Sequence, residues 1–568
     1  MSTKNPITIF LFFISIVTFS QNVNIVADNG KFIIDEDLKL IVCNKNVTAY
    51  NDLSTTSSLT IELNGNSYTF NTVPNKLENG KPYNVTLSST VFQLYFSKLP
   101  LLNIDTSNEI QDEPKVLANL KLTDTSNSEA ILSYCGIELR GGFSQSYPKK
   151  SYDIELWKDQ TGDNSKKESF LNMRKDDDWI LISMYNEPLR IRNMINHKLW
   201  REIHTPYYIE QENKAFAGIR TEYIELAINN EYMGIYALGE QIDKKQLQLK
   251  KYKTSIKGEL YKGISWGDAV TFSNLENYNN NSRIWSGFET KYPKESDITN
   301  WDNLYNFVDF VINSSDEDFQ NTIHDKFQMH NAIDYFIFLN LLRATDNTGK
   351  NIYIAKYNEN EPYFYAPWDL DGTHGIIWNG ERRNKTDDIL SNDLYNRLFD
   401  TFFFNKAAAK RWFELRDNSV LETSHLVDNI SKSYNFLLEN GNYERETLKW
   451  GAASIDLSNL DYTYTWLANR LNFLDVYFGG NLLGVPENSI PTNNITVSPN
   501  PINSTFKIKT THHISSYKIY DSRGKLVKNE LSYDNEEIHI ENLSSGIYFL
   551  RALTDINNQF VTIKILKQ

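Results

Sequence analysis

The chain has few cysteines and no excess of positive charge. Its 568 residues include only Cys43 and Cys135, and two distant cysteines form no disulfide framework, so we do not predict that they pair. The formal net charge of −14 argues against a surface that binds nucleic acid in general. The nine histidines show no zinc-ligand spacing. A disulfide scaffold, a zinc domain and a nucleic-acid partner are therefore not expected.

Long apolar runs are absent after the first twenty residues. Residues 7–19 are almost entirely apolar, they follow Lys4, and Ser20-Gln21 offers a small residue before a cleavage point. This pattern predicts a signal peptide at residues 1–20. The alternative is a membrane anchor, but the run is shorter than the about 20 residues that a spanning helix needs. We expect an exported mature chain without a transmembrane segment.

The length predicts several domains. Hydrophobic residues make up 40% of the chain and aromatic residues 13%, which is enough to fill buried cores. Short β-type runs between Asn-Gly turns predict an N-terminal β-sandwich-like domain at residues 21–111. A large central unit follows at residues 112–480. A linker at 481–489 leads to a small C-terminal β-sandwich at 490–568.

The central unit changes character along its length, and we assign it to the α+β class. Strand patterns come first, including a hairpin that turns at Asn229-Asn230, and a helix is predicted over residues 189–203. Beyond Trp301 apolar residues recur at helical spacing, as in residues 390–404. A cleft between a β-rich half and a helix-rich half is a common place for an active site.

The motif with the most chemical content lies in the helix-rich half. Asp346 precedes Asn351 by five positions, and Asp369 and Asp371 follow at the end of an apolar strand. Protein kinases use the same Asp-x-x-x-x-Asn spacing, with a metal-binding Asp further downstream. Asp346 is the predicted catalytic base, while Asn351, Asp369 and Asp371 are the predicted metal ligands. The alternative is a solvated loop with spare carboxylates.

The C-terminal unit resembles the sorting domain of type IX secretion. The resemblance rests on Ser-Pro-Asn-Pro at 498–501, on residues 520–525 and 543–548, and on Lys564 and Lys567 in the last strand. It implies passage across the inner membrane followed by outer-membrane export. The type IX secretion machinery is the implied partner, and the protein would be secreted or attached to the cell surface.

The central unit resembles the spore coat protein H (CotH) kinase-like family. Four blocks in order carry the resemblance: residues 138–152, 179–193, 231–242 and 345–371. The resemblance implies an atypical protein-kinase-like central domain that uses ATP with Mg²⁺ or Mn²⁺. It would phosphorylate Ser or Thr hydroxyls of exported proteins. The alternative is a non-catalytic surface, adhesion or carbohydrate-associated protein that retains the kinase-like fold.

Two adjacent lysines compete for the role of phosphate-binding lysine. Lys149 and Lys150 lie at the start of a predicted strand, where neighbouring side chains point to opposite faces. We favour Lys150, whose charge would neutralise phosphate oxygens and support catalysis. The other lysine is then surface charge.

Two further segments are candidates for cofactor binding. Gly141 and Gly142, with Ser144, would allow backbone amides to approach a phosphate, although a full Gly-x-Gly-x-x-Gly loop is absent. An ordinary hairpin turn would look the same. Glu240 follows an apolar strand and is the candidate for a hinge that meets the adenine; the alternative is a surface turn.

Overall fold

The computed structural model describes most of the chain after residue 20. The described residues are 21–124, 129–294, 296–401, 403–417, 420–482, 496–510, 513–521, 526–530, 532–534, 536–554 and 559–568. The predicted signal peptide, nearly all of the predicted linker and residues 522–525 of the tail motif lie outside the described residues. Within the described part, no helix combines the length and the apolarity needed to cross a membrane.

A seven-stranded sheet with order β1-β4-β5-β6-β7-β3-β2 forms the N-terminal unit. Its strands are β1 Gln21–Val26, β2 Phe32–Asp35, β3 Leu40–Cys43, β4 Thr56–Leu63, β5 Asn66–Phe70, β6 Pro82–Leu87 and β7 Thr90–Phe96. Alternate residues of β4, such as Leu59 and Ile61, enter a buried core, as expected for strands with one buried face. Cys43 in this core is a free, buried thiol, and Cys135 in the next sheet is also free and buried.

A second sheet of seven strands closes on itself, and we call it the closed sheet. Its order is β10-β11-β14-β16-β15-β8-β9. The strands are β8 Leu101–Asp105, β9 Val116–Thr123, β10 Ile131–Arg140, β11 Ser151–Trp157, β14 Asp178–Ile182, β15 Thr221–Ile228 and β16 Glu231–Gly239, with a ribbon of β12 Glu168–Ser169 and β13 Lys175–Asp176 beside it. Because β8 is one of its strands, the closed sheet begins before residue 112.

A five-stranded sheet with order β18-β19-β17-β20-β21 links the closed sheet to the helices. Its strands are β17 Glu259–Gly263, β18 Ile284–Trp285, β19 Phe288–Tyr292, β20 Ile352–Lys356 and β21 Tyr363–Pro367. Ile354 and Tyr365 on one face join the helical core. Tyr353 and Phe364 on the other face pack with Ile180 of the closed sheet. Successive side chains of a strand point to opposite faces, so the five-stranded sheet lies between the helical core and the core that it shares with the closed sheet.

Ten helices are described. They are α1 Arg192–Ile203, α2 Asp268–Thr271, α3 Asp302–Asn313, α4 Asp316–Lys326, α5 Met329–Leu342, α6 Asp393–Phe399, α7 Phe404–Asp417, α8 Thr423–Glu439, α9 Asn442–Trp450 and α10 Asn459–Leu482. The helix predicted from residue 189 begins later, because Arg190 has φ +58°, a left-handed conformation that a helix cannot contain. The helix predicted over 390–404 is wrong as one element, since α6 ends at Phe399 and α7 begins at Phe404.

The C-terminal unit consists of two small sheets, β22-β23-β26 and β25-β24-β27-β28. Their strands are β22 Thr496–Ser498, β23 Thr505–Lys509, β24 Ile514–Asp521, β25 Leu526–Glu530, β26 Ile538–His539, β27 Gly546–Thr554 and β28 Gln559–Lys567. Phe506 of the first sheet and Ile519 and Leu550 of the second belong to one buried core.

Helix α9 joins the helix-rich half to the closed sheet through two adjacent buried residues. Arg445 binds both carboxylate oxygens of Glu225 on β15, through Nε at 2.9 Å and Nη2 at 2.7 Å. Glu446 Oε1 accepts a hydrogen bond from Lys149 Nζ at 2.7 Å, and Arg190 Nε donates to Oε2 at 3.3 Å. All five side chains are fully buried. Breaking a buried pair from one side leaves an uncompensated charge.

Gly234 makes the approach of Glu446 to β16 possible. Its φ is +87°, and a Cβ there would lie 2.0 Å from Glu446 Oε1. Gly234→Ala should therefore destabilise the central unit by about 3 kcal/mol or more. Denaturant unfolding followed by tryptophan fluorescence measures this unit specifically, because all 11 tryptophans lie between Trp157 and Trp466.

Gly451→Ala is the matched control for this prediction. Gly451 has φ +85° and ψ 160°, and a Cβ at this position would have nothing within 4 Å, so only the backbone cost of this glycine-favouring conformation, about 1–3 kcal/mol, applies. Equal losses for the two variants would contradict a special role for the contact between Gly234 and Glu446.

Candidate functional site

Two strand ends of the five-stranded sheet bring Asn351 and Asp369 together. Asn351 directly precedes β20 and Asp369 follows β21, and Trp368 N donates to Asn351 O at 3.0 Å. Asn351 Nδ2 in turn donates to Asp369 Oδ2 at 3.3 Å. Both residues have left-handed backbones, with φ +54° and +53°. Such conformations in non-glycine residues persist where the surroundings hold them, and they concentrate at functional sites.

A 3-10 turn over Thr345–Thr348 carries Asp346. The buried Asn347 fixes this turn to the sheet end, because its Nδ2 donates to Asn351 O and to Trp368 O, both at 2.7 Å. Tyr335 of α5 donates to Asn347 O at 2.9 Å. The sequence motif gave Asn347 no role, yet it sets the position of Asp346 relative to Asn351.

Asp346, Asp369 and Asp371 share a strongly negative environment. Burial raises the pKa of Asp346, the Asp369 charge adds to the rise, and Lys350 opposes it. Burial also raises the pKa of Asp371 well above its usual range, and the negative charge of Asp369 raises it further. Asn186 Nδ2 donates to Asp371 Oδ2 at 2.6 Å. Carboxylate and amide oxygens with excess negative charge fit a hard divalent cation, which needs only one or two carboxylates beside phosphate and water.

Two cations flank the aromatic ring beside these carboxylates. The Arg140 guanidinium carbon, at the end of β10, lies 5.0 Å from the Trp368 ring centre, and Lys262 Nζ, on β17, lies 5.9 Å from it. Burial, and then the Arg140 charge, lower the pKa of Lys262 to about 8. Among the described residues, neither side chain forms a hydrogen bond or an ion pair. Cations without partners in the described part of the chain, next to carboxylates that form no ion pair there, favour an anionic group that carries its own divalent cation.

The structure gives the two candidate lysines different surroundings from those expected. Lys150 Nζ donates to the carbonyl oxygens of Gln145 and Tyr147, both at 2.6 Å. Lys149 is fully buried against Glu446 and donates to Ile235 O at 2.6 Å, so it is not surface charge. Lys262 is the lysine that lies near Asp369, whose negative charge opposes the lowering of the Lys262 pKa by burial and by the Arg140 charge. Sequence reasoning missed it because β17 was not recognised as a strand.

The segment with Gly141 and Gly142 lies on the acidic side of the site. Gly141 has φ +107°, and a Cβ there would lie 2.0 Å from Ser144 Oγ, so the turn requires glycine. Phe143 packs edge-on against Trp378 with ring centres 4.7 Å apart. Trp378 O accepts a hydrogen bond from Asn186, the same residue that holds Asp371.

The Glu240 carboxylate is fully engaged by hydrogen bonds within the protein. Its Oε1 accepts hydrogen bonds from Arg174 N and from Arg220 Nε and Nη2, at 2.6–3.0 Å. Its Oε2 accepts from Arg220 N and Gln246 Nε2, both at 3.0 Å. Five donors saturate the roughly four lone-pair positions of a carboxylate. The side chain is therefore engaged within the protein, and the predicted contact of this hinge segment with adenine stays a prediction.

A histidine cluster forms that the sequence spacing did not indicate. His204 Nδ1 and His330 Nδ1 lie 2.9 and 3.2 Å from Asp334 Oδ2, close enough to hold a metal ion. Asn331 Nδ2, however, lies 3.0 Å from His204 Nε2. An amide N–H there requires an unprotonated Nε2 and leaves the proton of the neutral ring on Nδ1. The hydrogen-bond pattern therefore favours a structural His204 over a metal ligand.

The fold and the site define an α+β protein whose acidic centre lies at one end of a central sheet, next to two cations that have no partner among the residues described. Residues 137–474 match the family model described as CotH kinase protein, more than half of the chain, and the chain belongs to this family. Residues 496–568 match the secretion system C-terminal sorting domain. Both resemblances drawn from the sequence are confirmed. A search of the curated proteins finds no match.

Asp371→Asn should stabilise the protein at neutral pH in the presence of a chelator. The raised pKa of Asp371 means that the folded chain binds this proton more tightly than the unfolded chain. The ionised group therefore costs stability in full above its folded pKa, and this cost shrinks as the pH falls below that value and vanishes below the unfolded pKa. We expect a gain of about 1 kcal/mol, measured by thermal unfolding in EDTA.

Magnesium should reverse the order of stability of the wild type and the Asp371→Asn variant. Added Mg²⁺ should raise the melting temperature of the wild type more than that of the Asp371→Asn variant. Asp428→Asn, which changes an exposed carboxylate of α8, is the control and should behave as wild type in both media. An Asp371→Asn variant that loses stability in EDTA would contradict the repulsion described above.

Proposed function

We propose that this protein is an exported kinase that transfers the γ-phosphoryl group of ATP to Ser or Thr hydroxyls of extracytoplasmic proteins. The observation that carries the proposal is the arrangement around Trp368. Asp369 follows this residue in the chain, while Arg140 and Lys262 flank its ring without partners among the described residues. Phosphoryl transfer depends on such positioning of charge around the phosphates.

Each residue has a distinct part in the proposed reaction. Asp346 orients the acceptor hydroxyl and takes its proton as the oxygen attacks the γ-phosphorus. The new P–O bond forms while the bond from the γ-phosphorus to the β,γ-bridging oxygen breaks, and that oxygen leaves with the electron pair as part of ADP. Lys262 and Arg140 bind the phosphate oxygens in place of the predicted Lys150.

The metal donors in this proposal are Asn351, Asp369 and Asp371. They would hold Mg²⁺ or Mn²⁺ against the phosphates. When bound, the ion neutralises charge on the phosphate oxygens. Gly141, Gly142 and Ser144 form the turn that would border the phosphates on the Asp371 side.

Export follows from the C-terminal unit. A sorting domain of the secretion system indicates a secreted or surface-attached protein and implies the type IX secretion machinery as a partner. The signal peptide proposed at residues 1–20 supplies the first membrane passage. The acceptor proteins would then be outside the cytoplasm.

A second candidate function is a non-catalytic surface or adhesion protein, including a carbohydrate-associated one. Exposed aromatic rings near the site favour it: Phe143 is 59%, Trp266 53% and Trp378 42% exposed. Exposed aromatic side chains often mark binding surfaces. This candidate requires no phosphoryl transfer.

Incubation with γ-labelled ATP separates the two candidates. The mature chain, residues 21–568, is mixed with Mg²⁺ or Mn²⁺ and a generic acceptor protein. We expect label transfer in the wild type and a loss of at least about 100-fold in Asp346→Asn and Asp369→Asn. An absence of both transfer and nucleotide-induced stabilisation would reject the kinase proposal.

Lys262→Met and Lys150→Met test which lysine binds phosphate. Loss of a charge-assisted contact with phosphate costs about 1.5–3 kcal/mol, so Lys262→Met should weaken ATP binding roughly 10- to 100-fold. Lys150→Met should change it little, because Lys150 is bound to two carbonyl groups. Calorimetric titration with a non-hydrolysable ATP analogue measures both affinities. The reverse order would restore Lys150 as the phosphate-binding lysine.

A further inference from the structure

Lys350 occupies a place in the site to which the proposed reaction assigns no role. It lies between Asp346 and Asn351 in the chain, and its backbone N donates to Asp346 O at 2.9 Å. Asn392 Nδ2 donates to Thr348 O at 3.1 Å and holds the same turn from the helical side. The backbone from which Lys350 projects is therefore fixed next to Asp346.

The Lys350 ammonium group is close to the catalytic carboxylate without being paired to it. Burial and the Asp369 charge raise the pKa of Asp346, and the Lys350 charge opposes that rise. No ion pair joins Lys350 to Asp346 or to another carboxylate in the described part of the chain. A direct ion pair would occupy the oxygens that Asp346 needs to accept a proton. The unpaired arrangement leaves both groups able to contact a substrate.

Trp266 positions this ammonium group. Lys350 Nζ lies 5.7 Å from the centre of the Trp266 ring, within the range of a cation–π interaction. Gly349 allows the contact, because a Cβ there would lie 2.8 Å from Trp266 Cδ1 and 2.9 Å from Thr271 Cγ2. The indole is thus packed against the catalytic turn while about half of the Trp266 surface remains exposed.

The site consequently has cations in two places. Lys262 and Arg140 lie at Trp368, next to Asp369, whereas Lys350 lies at Trp266, next to Asp346. In a transfer reaction the phosphate chain of the donor must lie near the metal ligands, and the acceptor must lie near the base. Lys350 is therefore on the side of the acceptor.

We propose that Lys350 is a further catalytic residue, which contacts the γ-phosphoryl oxygens from the acceptor side during transfer, and that Trp266 is its positioning residue. This inference rests on the proposed kinase function. The ligand is the transferred phosphoryl group itself, whose equatorial oxygens carry negative charge in the transition state. An ammonium group at that position stabilises the transition state more than bound ATP, so it should affect kcat more than nucleotide affinity.

The test compares Lys350→Met, Lys350→Arg, Trp266→Ala and Trp266→Phe in the mature chain. Lys350→Met should lower kcat for transfer about 100-fold or more, with ATP-analogue affinity within about threefold of wild type. Lys350→Arg keeps the charge and should recover most of the rate. Trp266→Ala should lower kcat about 10-fold, and Trp266→Phe, which keeps an aromatic face, should recover it.

Lys326→Met is the matched control. Lys326 is on α4, outside the site, and its Nζ lies 4.9 Å from the ring of Phe310 on α3. This variant should transfer at the wild-type rate. If the wild type is active and Lys350→Met has the same kcat as Lys326→Met, the inference about Lys350 is overturned while the proposed function stands. Equal losses of kcat and nucleotide affinity in Lys350→Met overturn the inference as well. A wild type without any transfer overturns the proposed function, and this inference with it.

Discussion

The two buried charges of helix α9 are the constraint on which the rest of the central unit depends. Arg445 and Glu446 are neighbours in sequence, and both are fully buried, with partners on β15, just before β11 and just before α1. Ion pairs in a protein interior persist only when nearly every charge and lone pair is satisfied. The helix-rich half and the closed sheet can therefore meet in very few ways.

The charge pattern of the candidate site is a consequence of this junction. Arg140 comes from the closed sheet, whereas Lys262, Asn351 and Asp369 come from the five-stranded sheet. Residues of the two sheets pack together across their boundary. If the closed sheet shifted, Arg140 would leave the Trp368 ring and the cations would no longer converge. In the proposed kinase a displacement of about 1 Å would already matter, so the position in which α9 holds the closed sheet bears on the charges of the candidate site.

The sequence predicted the site where chemistry and strand ends coincide in one short segment. Asp346 and Asp369 became candidates because a spacing motif and a strong apolar strand lie close together in the sequence. Lys262 was missed, since β17 has five residues and no spacing links it to the motif. The role of Glu446 was hidden for a different reason: a glutamate within a polar helix looks like a solvated charge until Gly234 is seen beside it.

The state of the two thiols has a consequence for export. Burial raises the pKa values of Cys43 and Cys135 to about 12, and they lie in different sheets, so neither is a thiolate at ordinary pH. The native fold contains no cross-link between them. Maturation outside the cytoplasm therefore needs no disulfide-forming enzyme, and the folded protein should tolerate both oxidising and reducing surroundings.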